Sequence, residues 1–336
     1  MYKIRKLLCI LLSICVLSGC SGKESDSIDY GPSEENKLVV YTSHKGEIWK
    51  PIVREFEERY GIWVDVYEGG TSELLEKIEE GGTGADVMFG GGIESLTAFK
   101  DSFLSYKVKG QEYISHKYIS GEDFYTPFSS LPIVLVYNPK LVSYGEVSSW
   151  GDLLDEKFKG KIAFADPERS GSSFTALVTM LKALPGDDEE VLKAFAKNLD
   201  GKVSQSSGKA LESVCDGEAS VGISIEETAF KRISEDKELK VVYPKDGTSC
   251  VPDGTAIIKD CPHRENAELF VDFTVSKAVQ KLLTDKLMRR SIRIDTTVNP
   301  PLAVLNKIKL IAYNAEKAGE NRDILLSSWN FFLGGE

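Results

Sequence analysis

Histidine is scarce, with three residues at positions 44, 116 and 263 of a 336-residue chain. Few candidates therefore exist for the imidazole base of a nucleophilic hydrolase, and Gly222-Ile223-Ser224-Ile225-Glu226 lacks the closing glycine of a nucleophile elbow. There is no Cys-x-x-Cys and no Cys/His cluster, which argues against a zinc site. No G-x-G-x-x-G follows a strand-like run, so a dinucleotide fingerprint is missing. The stretch Val203 to Lys209 is not a phosphate loop either, because Val203 stands at the first glycine position and Ala210 replaces the metal-binding hydroxyl. Basic residues are outnumbered 52 to 41, giving a formal net charge of −11 that disfavours nucleic acid and polyanionic surfaces as partners. A small anionic ligand stays open, since local dipoles set the field inside a pocket. The expectation is a binding protein without catalytic residues, cofactor or metal.

What is present begins at the N-terminus, where Lys3, Arg5 and Lys6 precede an apolar run from Leu7 to Leu17 that is too short to span a membrane. Leu17-Ser18-Gly19-Cys20 follows and resembles the bacterial lipoprotein box, which implies cleavage before Cys20 and lipidation of that thiol. Residues 1–19 are thus expected to be a signal peptide, and residues 20–37, rich in Ser, Gly, Asp and Glu, a flexible tether. Loss of three basic residues with the leader takes the net charge from −11 to −14. Cys9 and Cys15 leave with it, so Cys215, Cys250 and Cys261 remain; the last two flank a strand-like stretch, and a disulfide or two free buried thiols are both open. About 300 remaining residues exceed the usual size of a single core, so two lobes are expected.

The most informative stretch is 161–176. Ile162 to Ala165 reads as a buried strand ended by Asp166-Pro167, and Ser170-Gly171-Ser172-Ser173 then opens a helix carrying Phe174, Ala176, Leu177 and Leu181. Backbone N–H groups in a first turn lack intrahelical partners and the helix dipole adds positive charge, so the turn suits an oxyanion as well as a plain N-cap. The arrangement recurs. Leu38 to Tyr41 runs into Thr42-Ser43-His44 and a helix with Ile48, Ile52, Val53, Phe56 and Tyr60 ended by Gly61. Ile62 to Tyr67 leads to Gly69-Gly70-Thr71-Ser72, Asp86 to Phe89 to Gly90-Gly91-Gly92, and a strand end after Gly201 to Ser206-Ser207-Gly208. Strands are also expected at Leu131 to Tyr137, Val221 to Ile225, Val241 to Tyr243 and Thr255 to Ile258, the last two around a polar loop from Pro244 to Gly254. One helix with Leu269, Phe270, Phe273, Val279, Leu282 and Leu283 follows, then two more at about 300–318 and 321–333. Alternating strands and helices make this an α/β fold, and in an open parallel sheet ligands bind at the carboxyl ends of the strands.

The candidate ligand residues are Thr42, Ser43, His44, Gly70, Gly91, Ser170, Gly171, Ser172, Ser173, Ser206, Ser207 and Glu226. His44 either donates to an anion or caps a helix start on the surface. Glu226 and Glu227 open a helix after a strand; one accepts hydrogens from ligand hydroxyls or an amine, while the other favours the helix dipole. The basic cluster Arg289-Arg290-Ser291-Ile292-Arg293 is assigned a structural role at a helix end.

Together, the lipobox, Val39-Val40-Tyr41-Thr42-Ser43, Tyr60-Gly61-Ile62-Trp63-Val64, Gly84-Ala85-Asp86-Val87, Val136-Tyr137-Asn138, Ser149-Trp150-Gly151-Asp152-Leu153-Leu154, Phe158-Lys159-Gly160-Lys161-Ile162 and Asp166-Pro167 resemble the extracellular solute-binding proteins of ABC importers. The similarity is to the branch that binds ferric ion, sugar phosphates or aminoethylphosphonate. It implies a type II periplasmic-binding-protein fold with lobes at 38–134 and 135–252, and a 253–336 segment that returns to the first lobe and adds the C-terminal helices. Two crossing hinge strands are implied near Val134–Asn138 and Val251–Ile257. It also implies permease and ATPase partners, an extracytoplasmic, lipid-anchored location and a monomer. Ferric members carry adjacent tyrosines where this chain has Glu226-Glu227, and an acid where it has Gly90-Gly91-Gly92; only His44 matches a ferric ligand position. Ser170-Gly171-Ser172 matches the place where the branch holds a phosphate oxyanion. The resemblance thus implies a phosphorylated or phosphonated ligand, with ferric-ion binding as the alternative and a secreted phosphate-ester hydrolase as the competing class.

Overall fold

The computed structural model describes residues 33–119 and 121–334; the leader, Cys20 and tether residues 20–32 lie outside the described residues. Three parallel strands come first: β1 (Lys37–Thr42), β2 (Trp63–Glu68) and β3 (Val87–Gly92), with β1 in the middle. Between them, α1 (Gly46–Tyr60) buries Ile48, Ile52, Val53 and Phe56 on one stripe, and α2 (Thr71–Glu80) buries Leu74, Leu75 and Ile78. Gly61 stops α1 because it takes a left-handed φ of 67° and returns its N–H to Glu57 O at 2.9 Å. This winding delivers Thr42, Glu68 and the Gly90–Gly92 run to one edge.

After α3 (Ile93–Ala98) comes β4 (Thr126–Tyr137), the longest strand. Then follow β5 (Ile162–Ala163), α4 (Gly171–Ala183), α5 (Asp188–Leu199), α6 (Ser207–Cys215), β6 (Val221–Ile225), α7 (Glu226–Ser234) and β7 (Lys240–Val242). The chain ends with β8 (Cys250–Ile257), α8 (Arg264–Thr274), α9 (Lys277–Lys286), β9 (Arg290–Ser291), α10 (Ala315–Glu320) and α11 (Arg322–Gly334). The strand order is β2-β1-β3-β8-β4-β6-β5, with β7 and β9 also paired to β4. β4 changes partners partway along: it pairs with β8 as far as Pro132↔Cys250, and from Ile133↔Ile225 onward with β6. The chain therefore crosses between two α/β layers within β4 and returns just before β8.

Two main apolar clusters lie on either side of this crossing. One gathers Leu38, Val40, Ile52, Phe56, Phe89, Phe128, Phe270 and Phe273; the other gathers Leu135, Trp150, Phe164, Leu177, Phe195 and Val221. Trp329 of α11 packs in the second cluster, its ring centroid 5.7 Å from that of Phe164.

Some elements differ from expectation. Residues 300–314 form no α-helix; the segment instead runs beside Thr248, whose N–H donates to Lys309 O at 2.9 Å and whose carbonyl accepts from Ile311 N at 2.9 Å. Pro300 and Pro301 supply no N–H to a helix, and the segment finds its backbone partners elsewhere. The single helix expected around Leu269 to Leu283 is two, α9 being newly capped by Ser276. The strand end expected after Gly201 is one bridge, Ala165↔Ser204, and β8 begins at Cys250, inside the expected polar loop. Cys215, Cys250 and Cys261 are free.

Candidate functional site

One cavity of about 1160 Å³ lies where the two layers face each other, near the upper end of ordinary small-ligand pockets. Thr42, Ser43, His44, Gly70, Gly91, Ser170, Gly171, Ser172, Ser206 and Ser207 all line it. The reason is local: strand carboxyl ends feed helix starts, and four of those starts, α1, α2, α4 and α6, open on the same space.

Ser170 and Ser206 are true N-caps, accepting from Ser173 N at 3.4 Å and Lys209 N at 3.3 Å. Each hydroxyl removes one orphan donor, while other first-turn N–H groups have no intrahelical acceptor. The Ser170 and Ser172 hydroxyls share a hydrogen bond at 3.2 Å in which either can be the donor, and both line the cavity. Gly171 faces Thr71 across the cavity, so closely that a Cβ there would stand 3.0 Å from Thr71 Oγ1. Gly91 has a φ of +88°, and its missing Cβ makes room for Thr71 Cγ2. Other contacts between facing elements are Lys45 against Gly208, Glu47 with Lys231, and Glu94 with the Thr175 hydroxyl.

Thr42 is spent on shape: its hydroxyl donates to Phe89 O at 2.7 Å and accepts from His44 N at 3.1 Å. The His44 ring, only 7% exposed, packs against Phe89 and Phe128 at centroid distances of 4.5 and 5.3 Å. Burial, reinforced by Arg289, holds its pKa well below the ordinary range, so it presents a neutral imidazole whose Nε2 has no hydrogen-bond partner. It is thus no surface cap, and what it offers the cavity is an uncharged ring nitrogen.

Two predicted residues are not brought into the cavity. Ser173 is buried behind the helix start, its hydroxyl donating to Ser170 Oγ at 3.1 Å. Glu226 is the larger correction: it is 1% exposed, both carboxylate oxygens accept from Arg290 at 2.7 Å, and the Tyr243 hydroxyl donates to it as well. With about three of its four acceptor sites filled and its side chain buried outside the cavity lining, this carboxylate is not presented to a ligand. Its neighbour Glu227 lines the cavity instead, 3.9 Å from Arg289 Nη1, with burial raising its pKa.

Several lining residues were missed. Arg289 was read as structural, yet it lines the cavity while bonding Asp253 at 2.5 Å and Ser129 Oγ at 2.6 Å. Asp253 and Arg322 were not singled out at all, and Lys45, Thr71 and Ser72 entered only as parts of polar turns at strand ends. A signal for Arg322 existed: it opens a helix, where the dipole disfavours a cation.

A cavity of hydroxyls, backbone donors and fixed charges, walled by two α/β layers that share crossing strands, is that of a type II two-lobed binding protein. The chain belongs to the family of bacterial extracellular solute-binding proteins, whose model matches residues 92–315. Members bind small solutes for ABC importers and interact with the permease. Its relatives include iron uptake protein A1 of Synechocystis, 24% identical over 90% of this chain and 89% of that one. A putative 2-aminoethylphosphonate-binding periplasmic protein of Salmonella typhi is 22% identical over 78% and 81%. The periplasmic binding protein AfuA of Actinobacillus pleuropneumoniae, solved with fructose-6-phosphate bound, superposes with a TM-score of 0.82 at 25% identity, covering 89% of this chain and 99% of that one.

Proposed function

We propose that this chain captures a small phosphorylated or phosphonated organic solute and delivers it to an ABC permease, from a lipid anchor at Cys20. The observation that carries the reading is the convergence on one cavity of the α2, α4 and α6 N-termini, each led by a glycine or a serine, Gly70, Ser170 and Ser206. Oxyanions are what such groups hold. Ser170, Gly171, Ser172, Ser206 and Ser207 donate to the oxyanion, and Glu227 with the His44 imidazole meets the ligand's hydroxyl or ammonium hydrogens. Lobes at 38–134 and 135–252, with the return of 253–336, close about β4 and β8. Ferric ion prefers several converging hard anionic oxygens, whereas among the described residues no tyrosine lines this cavity and no group of three or more His, Cys, Asp or Glu side chains is placed to hold a metal ion.

A thermal-shift screen with fructose 6-phosphate, glucose 6-phosphate, 2-aminoethylphosphonate and ferric citrate tests the reading. Ligand at a thousandfold over its dissociation constant should stabilise by about 4 kcal/mol. A response to ferric citrate alone, with charge-transfer colour, refutes it. Cys20→Ala should release soluble protein; unaltered membrane retention rejects the anchor.

A further inference from the structure

Three arginines are buried among the described residues, Arg289 and Arg322 lining the cavity and Arg290 outside its lining, and their charge balance differs. Arg289 is bonded to Asp253, and Arg290 is held by both oxygens of Glu226. Arg322, the first residue of α11, is 8% exposed and lines the cavity, yet among the described residues the only carboxylate oxygen within 4 Å is that of Asp323, at 4.0 Å on a side chain 98% exposed. One Nη donates to Ser72 Oγ at 2.7 Å, and Nε is buried without a partner. The guanidinium also lies over Phe174, 5.6 Å from the ring centroid. Ser72 is in the first turn of α2 and Phe174 in the first turn of α4, so the charge sits between two helix N-termini that already carry positive potential.

Among the described residues no carboxylate lies closer to it than Asp323. Glu94 on α3 has its pKa raised to about 7 by burial, so near neutrality it offers only part of a charge. Glu76 on α2 and Glu168 before α4 act on Arg322 only at a distance beyond ion-pair contact. A desolvated, uncompensated guanidinium destabilises a protein unless an anion meets it.

We infer that Arg322 is the specificity-determining counter-ion of the cleft, requiring a tetrahedral dianion at the ligand end that meets the α2 and α4 N-termini. This rests on the organophosphate reading and narrows it: a phosphate monoester or phosphonate is selected over the sulfate ester or sulfonate of the same skeleton. Those isosteres keep the tetrahedral oxygens but carry one negative charge. The hydroxyls and backbone donors alone treat the two nearly alike, whereas the guanidinium distinguishes them.

Calorimetric titration of wild type, R322Q and R322K with two matched pairs tests this: glucose 6-phosphate against glucose 6-sulfate, and 2-aminoethylphosphonate against taurine. Wild type should prefer the phosphorus member of its pair by about tenfold or more, as expected for one charge-assisted hydrogen bond. R322Q should bring the two within about threefold, and R322K, which keeps the charge, should retain the preference. The unliganded R322Q protein should melt no lower than wild type, since it loses a buried unbalanced charge. An R322Q protein that fails to fold or melts early, or an R322K protein without preference, marks the residue as structural and overturns the inference. Organophosphate binding with the preference intact in R322Q overturns it alone, whereas no organophosphate binding by wild type overturns the functional reading too.

Discussion

Arg290 and Arg322 are both buried arginines, of which only Arg322 lines the cavity, and they represent opposite uses of a charge. Arg290 is enclosed: its Nε and one Nη reach the two oxygens of Glu226, and that Nη also donates to Ala303 O at 2.6 Å. The pair joins β9 to the start of α7 and leaves no electrostatic handle for a solute. Arg322 has a hydroxyl and an aromatic face for partners; each arginine keeps one unpaired nitrogen, Nε of Arg322 and Nη1 of Arg290, so the carboxylate is what separates them. Compensation inside the protein makes a charge part of the architecture, while its omission leaves binding energy for a ligand. The same contrast separates the adjacent glutamates, since Glu226 is spent on Arg290 and Glu227 faces the cavity.

The largest way to break the comparison is Glu226→Ala. Arg290 would be left buried without its carboxylate, and urea unfolding should show a loss of about 3–5 kcal/mol. A loss below 1 kcal/mol would mean that the pair is no more structural than Arg322. A second, smaller effect concerns Glu94, buried between the layers with the Thr175 hydroxyl on it. Burial raises its folded pKa to about 7 from the ordinary carboxylate value of 4.5, so it holds a proton in the folded state that the unfolded chain has released. Its contribution to stability is therefore complete below about pH 4.5 and is lost as pH rises through 7, by about 3 kcal/mol. Glu94→Gln should flatten the slope between pH 5 and 8; an unchanged slope would place the titration elsewhere.

Smaller still is the division of labour between two serines. Ser172→Ala should weaken organophosphate binding about tenfold, or about 1.4 kcal/mol, and leave the melting temperature alone. Ser170→Ala removes an N-cap and should cost about 1 kcal/mol of stability. If both variants lose only stability, the α4 start is a cap and the anion sits elsewhere.

Ser170 and Ser206 were legible as helix starts because a cap is a local event: a hydroxyl, a glycine and an apolar period within one turn suffice. The glycine-rich strand ends were legible for the same reason, as the pleat and the turn that place them are set by neighbours in sequence. Glu226 and Glu227 were not separable, because both sit in the first turn of α7 and both are buried. Which one faces the ligand is decided by where Arg290 docks, 64 residues away.

The sequence by itself determined the alternation of strands and helices, the caps, and the small polar residues at the strand ends, since each depends on contacts within a few residues. Charge balance was decided only by the tertiary structure. Glu226 is silenced by β9, Arg289 by Asp253 on β8, and Arg322 meets Ser72 across a separation of 250 residues. An arginine in the sequence carries the same charge in every one of these places; burial and the presence or absence of a carboxylate partner, both properties of the folded chain, decide whether that charge holds the protein together or waits for a solute.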